Sequence, residues 1–367
     1  MTRRRFFFFA ALPLFVLIIL WWNRPAEIVK VGVLFDSGDT SEAVISRQAL
    51  QSVILATEYF NSRTSSLKIQ PVPIYEADPA SAAKYASQGI SALIAGPRLT
   101  FTAHLSQASK KEGIPVVSLA AGSLIRGKED LVFRPRPETG GFVLGREAAR
   151  RGVKNYSVIV SGFDSGYVQE FIRDFEAGLG TPPRRTMVFG GDLVKQIGHF
   201  GRIVRGMDAM LLALSDWPSI IAFRELRLMA PDIPVFASNR AISHRSAFLA
   251  GNLGKDFYTA AALPGEEFNG REGFYRFVTD TYGHHIPSCI LAMGYDGVAM
   301  LNAALTRSKT HDRNSVARAL SELESVNSSA GIAAVDRRGG IKLNHSVLTL
   351  APEGWIPFEE PAPEAGL

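Results

Sequence analysis

The sequence predicts an α/β protein of two similarly built lobes whose functional loops face a shared cleft. The first observation is residues 158–171, VIVSGFDSGYVQEF. An apolar run, Val158 to Val160, reaches a glycine-containing turn, after which Tyr167, Phe171 and Phe175 recur at i, i+4 and i+8. That pattern reads as a buried strand, a tight loop and an amphipathic helix. The second observation is that the same tetrapeptide, Phe35-Asp36-Ser37-Gly38, ends the apolar run from Val29. A helical pattern follows there too, through Leu50, Ile54, Leu55 and Tyr59. A strand, an FDSG loop and a helix thus open two separate segments. In open parallel sheets ligands bind outside the carboxyl ends of the strands, which is where both loops stand.

Taken in order from Ile28, the strand to Phe35 and the helix to Asn61 precede a strand at Ile69–Tyr75. A short helix is expected over Ala80–Gln88 and a buried strand over Ala92–Ala95, closed by Gly96-Pro97. Thr102–Glu112 is helical, Gly113 ends it, and Pro115–Leu119 is the next strand. Strands and helices alternating at this spacing mean βαβ units and a parallel sheet. Arg134-Pro135-Arg136-Pro137 cannot be helix interior and reads as an extended crossing between lobes. A helix ending at Arg151, the Val158 strand, and strands at Met187–Phe189, Ala209–Leu214 and Pro234–Ala237 rebuild the order. The helix Pro218–Met229 lies between the last two, and the tail 359–367 is expected to be disordered.

At 367 residues two ordinary domains fit better than one very large one. The net charge of +5 suggests nucleic acid until it is located: Arg3, Arg4, Arg5 and Arg24 supply most of it. No basic stripe interleaved with aromatics occurs elsewhere, so nucleic acid is not an expected partner. The single cysteine, Cys289, rules out an intrachain disulfide and any CxxC site. Near the start, three arginines precede the uncharged run Phe6–Trp22. As a helix it would be about 26 Å long, near the lower limit for a membrane span. No small-residue cleavage site follows, since Trp21-Trp22-Asn23-Arg24-Pro25 stands there. Residues 1–27 are therefore expected to be an uncleaved anchor, with a cleaved signal as the alternative. The positive-inside asymmetry puts the body on the outer face of the membrane in either case.

Nothing in the chain demands catalysis, a metal or a cofactor. Paired DSG tripeptides occur in aspartic proteases, but those lobes are β-rich, and here Asp and Ser at a helix start are good N-caps. Gly122–Glu129, GSLIRGKE, nearly matches the phosphate-binding P-loop, yet Glu129 replaces the hydroxyl that would hold Mg²⁺. The histidines show no metal-ligand spacing, and His284-His285 reads as a solvated loop. No nucleophile elbow or dinucleotide fingerprint is present.

Three further stretches carry a resemblance to a known family. Ser91–Ser123 has the strand–loop–helix–EGIP–strand order of the type I periplasmic solute-binding proteins, and is similar to the leucine/isoleucine/valine-binding group. Residues 274–304, with YGHHIP and GYDG, resemble that group's helix pair, and residues 331–358 resemble its closing hairpin with a terminal G-x-W. Asp164–Tyr167 resembles its D-x-x-Y-G loop, with Val168 where glycine is usual. The resemblance covers about residues 28–358. It implies two Rossmann-like lobes joined by three crossings, partitioned as 28–135 with 264–328 and 136–263 with 329–358. It also implies a non-enzymatic protein of the periplasmic side of the inner membrane. Such a protein captures a small polar ligand, amino-acid-like or a carboxylate, for an inner-membrane permease or a sensor. The alternative is an interaction module of the same fold that binds an envelope protein or a sensor kinase.

The expected pocket follows from the same resemblance. Ser37, Thr100, Thr102, Ala121 and Ser123 are the candidates of the first lobe, and Tyr167, Asn239 and Arg240 those of the second. Hydroxyls and backbone N–H groups would hold a carboxylate. The family's ammonium-binding acid is replaced by Asn239-Arg240, so a zwitterion is expected to meet no negative partner. That leaves a charge buried and unpaired, and a branched-chain amino acid is expected to bind at least about a hundredfold more weakly than to a relative carrying the acid. Arg240 would favour a carboxylate or phosphate if it faces the cleft, and be ordinary surface if it faces outward.

Overall fold

The structure is a computed structural model. It describes residues 26–35, 41–64, 66–74, 82–97, 99–121, 127–136, 138–162, 165–189, 196, 198–251, 254–262, 269–283, 288–352 and 354–358. The anchor Phe6–Trp22, the loop residues Asp36-Ser37-Gly38 and Asp164, His284-His285 and the tail 359–367 lie outside these.

Five strands alternate with helices in the first sheet: β1 (Glu27–Leu34), β2 (Leu67–Ile74), β3 (Ala92–Ala95), β4 (Val116–Ser118) and β5 (Val132–Phe133). All pair in parallel, in the order β2-β1-β3-β4-β5. The second sheet takes β6 (Tyr156–Ser161), β7 (Arg185–Phe189), β8 (Ala209–Ala213), β9 (Val235–Ala237) and β10 (Phe257–Ala262). These too are parallel, in the order β7-β6-β8-β9-β10. Counted within each sheet, both orders are 2-1-3-4-5, the doubly wound order with its switch point between first and third strands. The duplication implied by the repeated tetrapeptide is therefore a duplication of topology. β11 (Ser325–Ser328) and β12 (Gly331–Ala334) form a separate hairpin. β13 (His345–Ala351) and β14 (Gly354–Pro357) extend the second sheet antiparallel beyond β10. The stretch 331–358 thus contributes to two hairpins rather than one.

The buried strands explain why their sequences read as continuous apolar runs. β8 and β10 are buried at every position, as expected where helices cover both faces of a parallel sheet. In the first lobe, helix Ser41–Arg63 packs on helix Ser288–Arg307, and Val29, Val31 and Val33 share one core with Phe274, Tyr295, Val298 and Leu301. Ile341 and Leu343, just before β13, also enter that core. Cys289–Arg307 is the one helix among the described residues long and apolar enough to cross a membrane, and most of it is buried in this core. In the second lobe Tyr167, Phe171 and Phe175 are all buried, so the spacing noted in the sequence is the inner face of helix Ser165–Leu179. That helix lies against helix Gly141–Arg150 at backbone contact. A Cβ on Gly145 or Gly178 would run into the carbonyl oxygen of Phe175 or Phe142.

Some elements escaped the sequence reading. β10 (FYTAAA) is rich in alanine, a residue with weak strand preference, and only burial between neighbours makes it a strand. β5 is two residues long, and helices Phe200–Val204 and His244–Ala250 are short. The expected helices at Thr102 and Pro218 begin earlier, at Leu99 and Asp216.

Candidate functional site

In both sheets the strands of the parallel set end on the same side, and those carboxyl ends face each other across a cavity. The first lobe contributes Leu119 and Ala121 after β4, Ile45 and Gln48 from the first turns of helix Ser41–Arg63, and Cys289, Ile290 and Met293 from the start of helix Ser288–Arg307. From the second come Tyr167 after β6, Ser215 and Asp216 after β8, and Asn239 and Arg240 after β9. Arg136 and Glu138 of the first crossing close one side. The cavity spans about 630 Å³ with its mouth to solvent included, of which about 40 Å³ admits the centre of a water-sized sphere. A water needs about 10–15 Å³ by that measure. The cleft between the described residues is narrow.

Of the residues expected from sequence, Ala121, Tyr167, Asn239 and Arg240 line this cavity together. The Tyr167 hydroxyl donates to Asn239 Oδ1 at 2.9 Å. The Arg240 guanidinium lies 3.7 Å from the centre of the Tyr167 ring, so Arg240 faces the cleft. A cation over an aromatic face is attracted by the ring quadrupole. Thr102 is fully buried behind β4, with its Oγ1 3.4 Å from the Ser118 Oγ. Thr100 begins the helix Leu99–Glu112, its side chain outside the described part, and Ser37 and Ser123 lie outside the described residues.

Two acids, Asp216 and Glu138, line the cavity, although Asn239 and Arg240 stand in the β9 loop where the resemblance implies one. The acid is absent from the β9 loop, as the sequence says, but another stands at the end of β8. The sequence does not single it out, because the apolar run from Ala209 ends at Leu214 and no motif follows it. The signal available was a lone Asp opening the helix Asp216–Met229. Asp296 of GYDG, by contrast, is fully buried and consumed by structure. It accepts from Arg136 Nε at 2.7 Å and from both the amide and the hydroxyl of Ser329. Arg136 also donates to Ser329 Oγ at 3.1 Å. The Cys289 thiol is pushed up to about 11, chiefly by burial and then by Asp216, against a lowering by Arg136 and Arg240. It is a neutral wall of the cavity at any physiological pH.

No protein-family model matches the chain, and no match is found among curated proteins. The solved structures supply the relatives. A solute-binding protein of an ABC transporter from R. palustris, in complex with benzoate, superposes with TM-score 0.72 at 17% identity, covering 90% of this chain and 95% of that one. The branched-chain amino acid substrate-binding protein LivJ from Streptococcus pneumoniae, in complex with isoleucine, gives 0.72 at 16% identity, covering 90% and 98%. The leucine-binding protein LivK from Thermotoga maritima gives 0.71 at 18% identity, covering 90% and 98%. At such identities the likeness is one of fold, and it extends over nearly the whole described chain. The motifs at Ser91–Ser123, 274–304 and 331–358 and the twice-built 2-1-3-4-5 sheet lead to the same place: the chain has the fold of the type I periplasmic binding proteins.

Proposed function

We propose that the chain is an extracytoplasmic solute-binding protein without catalytic activity. It captures a small polar ligand, amino-acid-like or a carboxylate and different from the ordinary branched-chain amino acids, between its lobes. An inner-membrane permease or a sensor receives it. The observation that carries this reading is the cavity itself, bounded at both topological switch points by the carboxyl ends of the two parallel sheets. Four helices begin at this cavity, and their amino ends favour an anionic group there. Arg240 adds a full positive charge. The ligands named for the solved neighbours, benzoate and isoleucine, share a carboxylate. The lobes of the reading are 28–135 with 264–328 and 136–263 with 329–358, closing on the ligand by hinge motion, with Phe6–Trp22 holding the body to the membrane.

The second reading is a non-transport module of the same fold that binds an envelope or sensor-kinase partner. What favours it is the small free volume of the cleft. Mass spectrometry of the solvent extract of purified protein separates the two. The solute-binding reading expects a released small carboxylate that raises the melting temperature when added back. It also expects Arg240→Ala to weaken that binding at least about tenfold, the loss of one charge-assisted pair. No released molecule, and no stabilisation across a broad panel of organic acids, would leave the module reading.

A further inference from the structure

One side of the second sheet is open. β7 is its last strand, and among the described residues no strand pairs beyond it. The Arg184 N–H donates to Tyr156 O at 2.8 Å, towards β6. Alternation along the strand therefore turns the N–H and C=O groups of Arg185 and Met187 outward. The outer strand of the first sheet, β2, carries Pro71 and Pro73, which lack the donors a further strand needs, whereas β7 carries no proline. Beside β7, against helix Phe200–Val204, lies a groove of about 840 Å³ with its mouth included, of which about 450 Å³ admits the centre of a water-sized sphere. Its lining includes Arg185, Met187, His199, Arg202, Ile203 and Arg205, and no acid among the described residues. Arg185 Nη1 donates to the carbonyl oxygen of Arg202 and, at 3.1 Å, to that of Arg205. The Arg202 and Arg205 side chains are exposed and have no ion-pair partner among the described residues. Charges on an edge strand can serve only to repel other strands. Here, however, the same chain holds an acidic segment whose backbone fits the edge.

We propose that β7 and the arginine groove beside it dock residues 359–364 of a second copy of this chain as an added strand, with Glu360 and Glu364 paired to Arg202 and Arg205. Residues 358–364 read FEEPAPE. In an extended segment Glu360, Ala362 and Glu364 turn their N–H and C=O groups to one edge, and Pro361 and Pro363 turn theirs to the other. The prolines therefore cost no bond to β7, keep the residues before them extended, and stop a further strand from adding. Glu360 and Glu364 fall on one face, about 13 Å apart, and meet a groove that supplies only positive charge. A chain cannot fill its own groove this way. The Phe358 N–H donates to Val347 O of β13, so the segment leaves from the β14 edge, six strand spacings or about 29 Å from β7. Fully extended, Glu360 and Glu364 reach only about 7 and 22 Å beyond Phe358. Donor segment and acceptor groove sit at opposite edges, so the contact is head-to-tail.

The test titrates a fluorescein-labelled peptide of residues 357–367 with the full chain, purified in a non-ionic detergent, and reads anisotropy. Saturable binding that weakens with salt is expected. Arg202→Glu/Arg205→Glu in the protein, or Glu360→Gln/Glu364→Gln in the peptide, is expected to weaken it at least about tenfold. Ala362→Pro in the peptide removes a donor aimed at β7 without touching a charge, and is expected to weaken it comparably. Unchanged binding of that peptide would mean a contact of charges alone and overturn the added strand. Sedimentation of the full chain is expected to show concentration-dependent association that Glu360→Gln/Glu364→Gln abolishes. Peptide binding without such association would give the groove to an acidic segment of another protein, and displacement of the peptide by an equal concentration of inorganic phosphate would make it a phosphate or lipid-headgroup site. Either result overturns the proposal. So does absence of binding at about 1 mM peptide, which leaves the arginines as guards of the edge.

Discussion

Removing the carboxylate of Asp296 is the perturbation whose cost the structure specifies most closely. Asp296 sits in the middle of helix Ser288–Arg307 and is completely buried. Its partners are Arg136, between β5 and helix Gly141–Arg150, and Ser329, in the turn between β11 and β12. The ring is closed, because the Ser329 hydroxyl donates to Asp296 and accepts from Arg136. For charge centres about 4 Å apart at an effective dielectric near 20, the attraction is about 4 kcal/mol. Asp296→Ala abolishes it and leaves Arg136, whose side chain is only 10% exposed, charged and unpaired. Breaking a buried pair from one side costs about 3–5 kcal/mol. Urea unfolding followed by circular dichroism is expected to show that loss as a lower midpoint. The double variant Arg136→Met/Asp296→Leu removes both charges and is expected to recover most of it, because no charge is stranded. A loss below about 1 kcal/mol in Asp296→Ala, the size of an exposed pair, would refute the argument.

Two further outcomes follow from packing and protonation. Gly145→Ala is expected to destabilise by about 1–3 kcal/mol, since its Cβ meets the Phe175 carbonyl and the two helices must separate. Gly198→Ala, with open space around it, should stay within about 0.5 kcal/mol on the same unfolding curve. Glu147 is held below its usual value: burial pushes it up, but hydrogen bonds from Arg150 and Arg151 outweigh that. A depressed folded value means that its stabilisation is present above the unfolded value near 4.5 and is lost as pH falls through the folded one. Glu147→Gln is expected to flatten the acid limb of stability against pH, and an unchanged slope would show the pair to be idle.

The local rules written in the chain were enough to recognise strands, helices and the doubling of the unit. Fully buried parallel strands must be apolar at every position, as in Val158–Val160 and Ala92–Ala95, and their helices must show an inner face such as Tyr167, Phe171 and Phe175. Tyr167, Asn239 and Arg240 could be picked out through the family resemblance, which matches loops that follow such strands, and loops at those ends converge in a parallel sheet. What the sequence could not decide was which side chains share a volume. Tyr167 and Arg240 are more than seventy residues apart and stack only because β6 and β9 flank β8. Asp216 carries no motif, and only the fold puts it in the wall of the cleft. Asp296 lies in a motif, yet tertiary structure spends it on Arg136 and Ser329, and β10 is a strand because its neighbours bury it rather than because alanine prefers to be one. Periodicity is a property of nearby residues and survives in the sequence. Pairing of distant charges depends on sheet order and on which groups water can reach, and those exist only once the chain is folded.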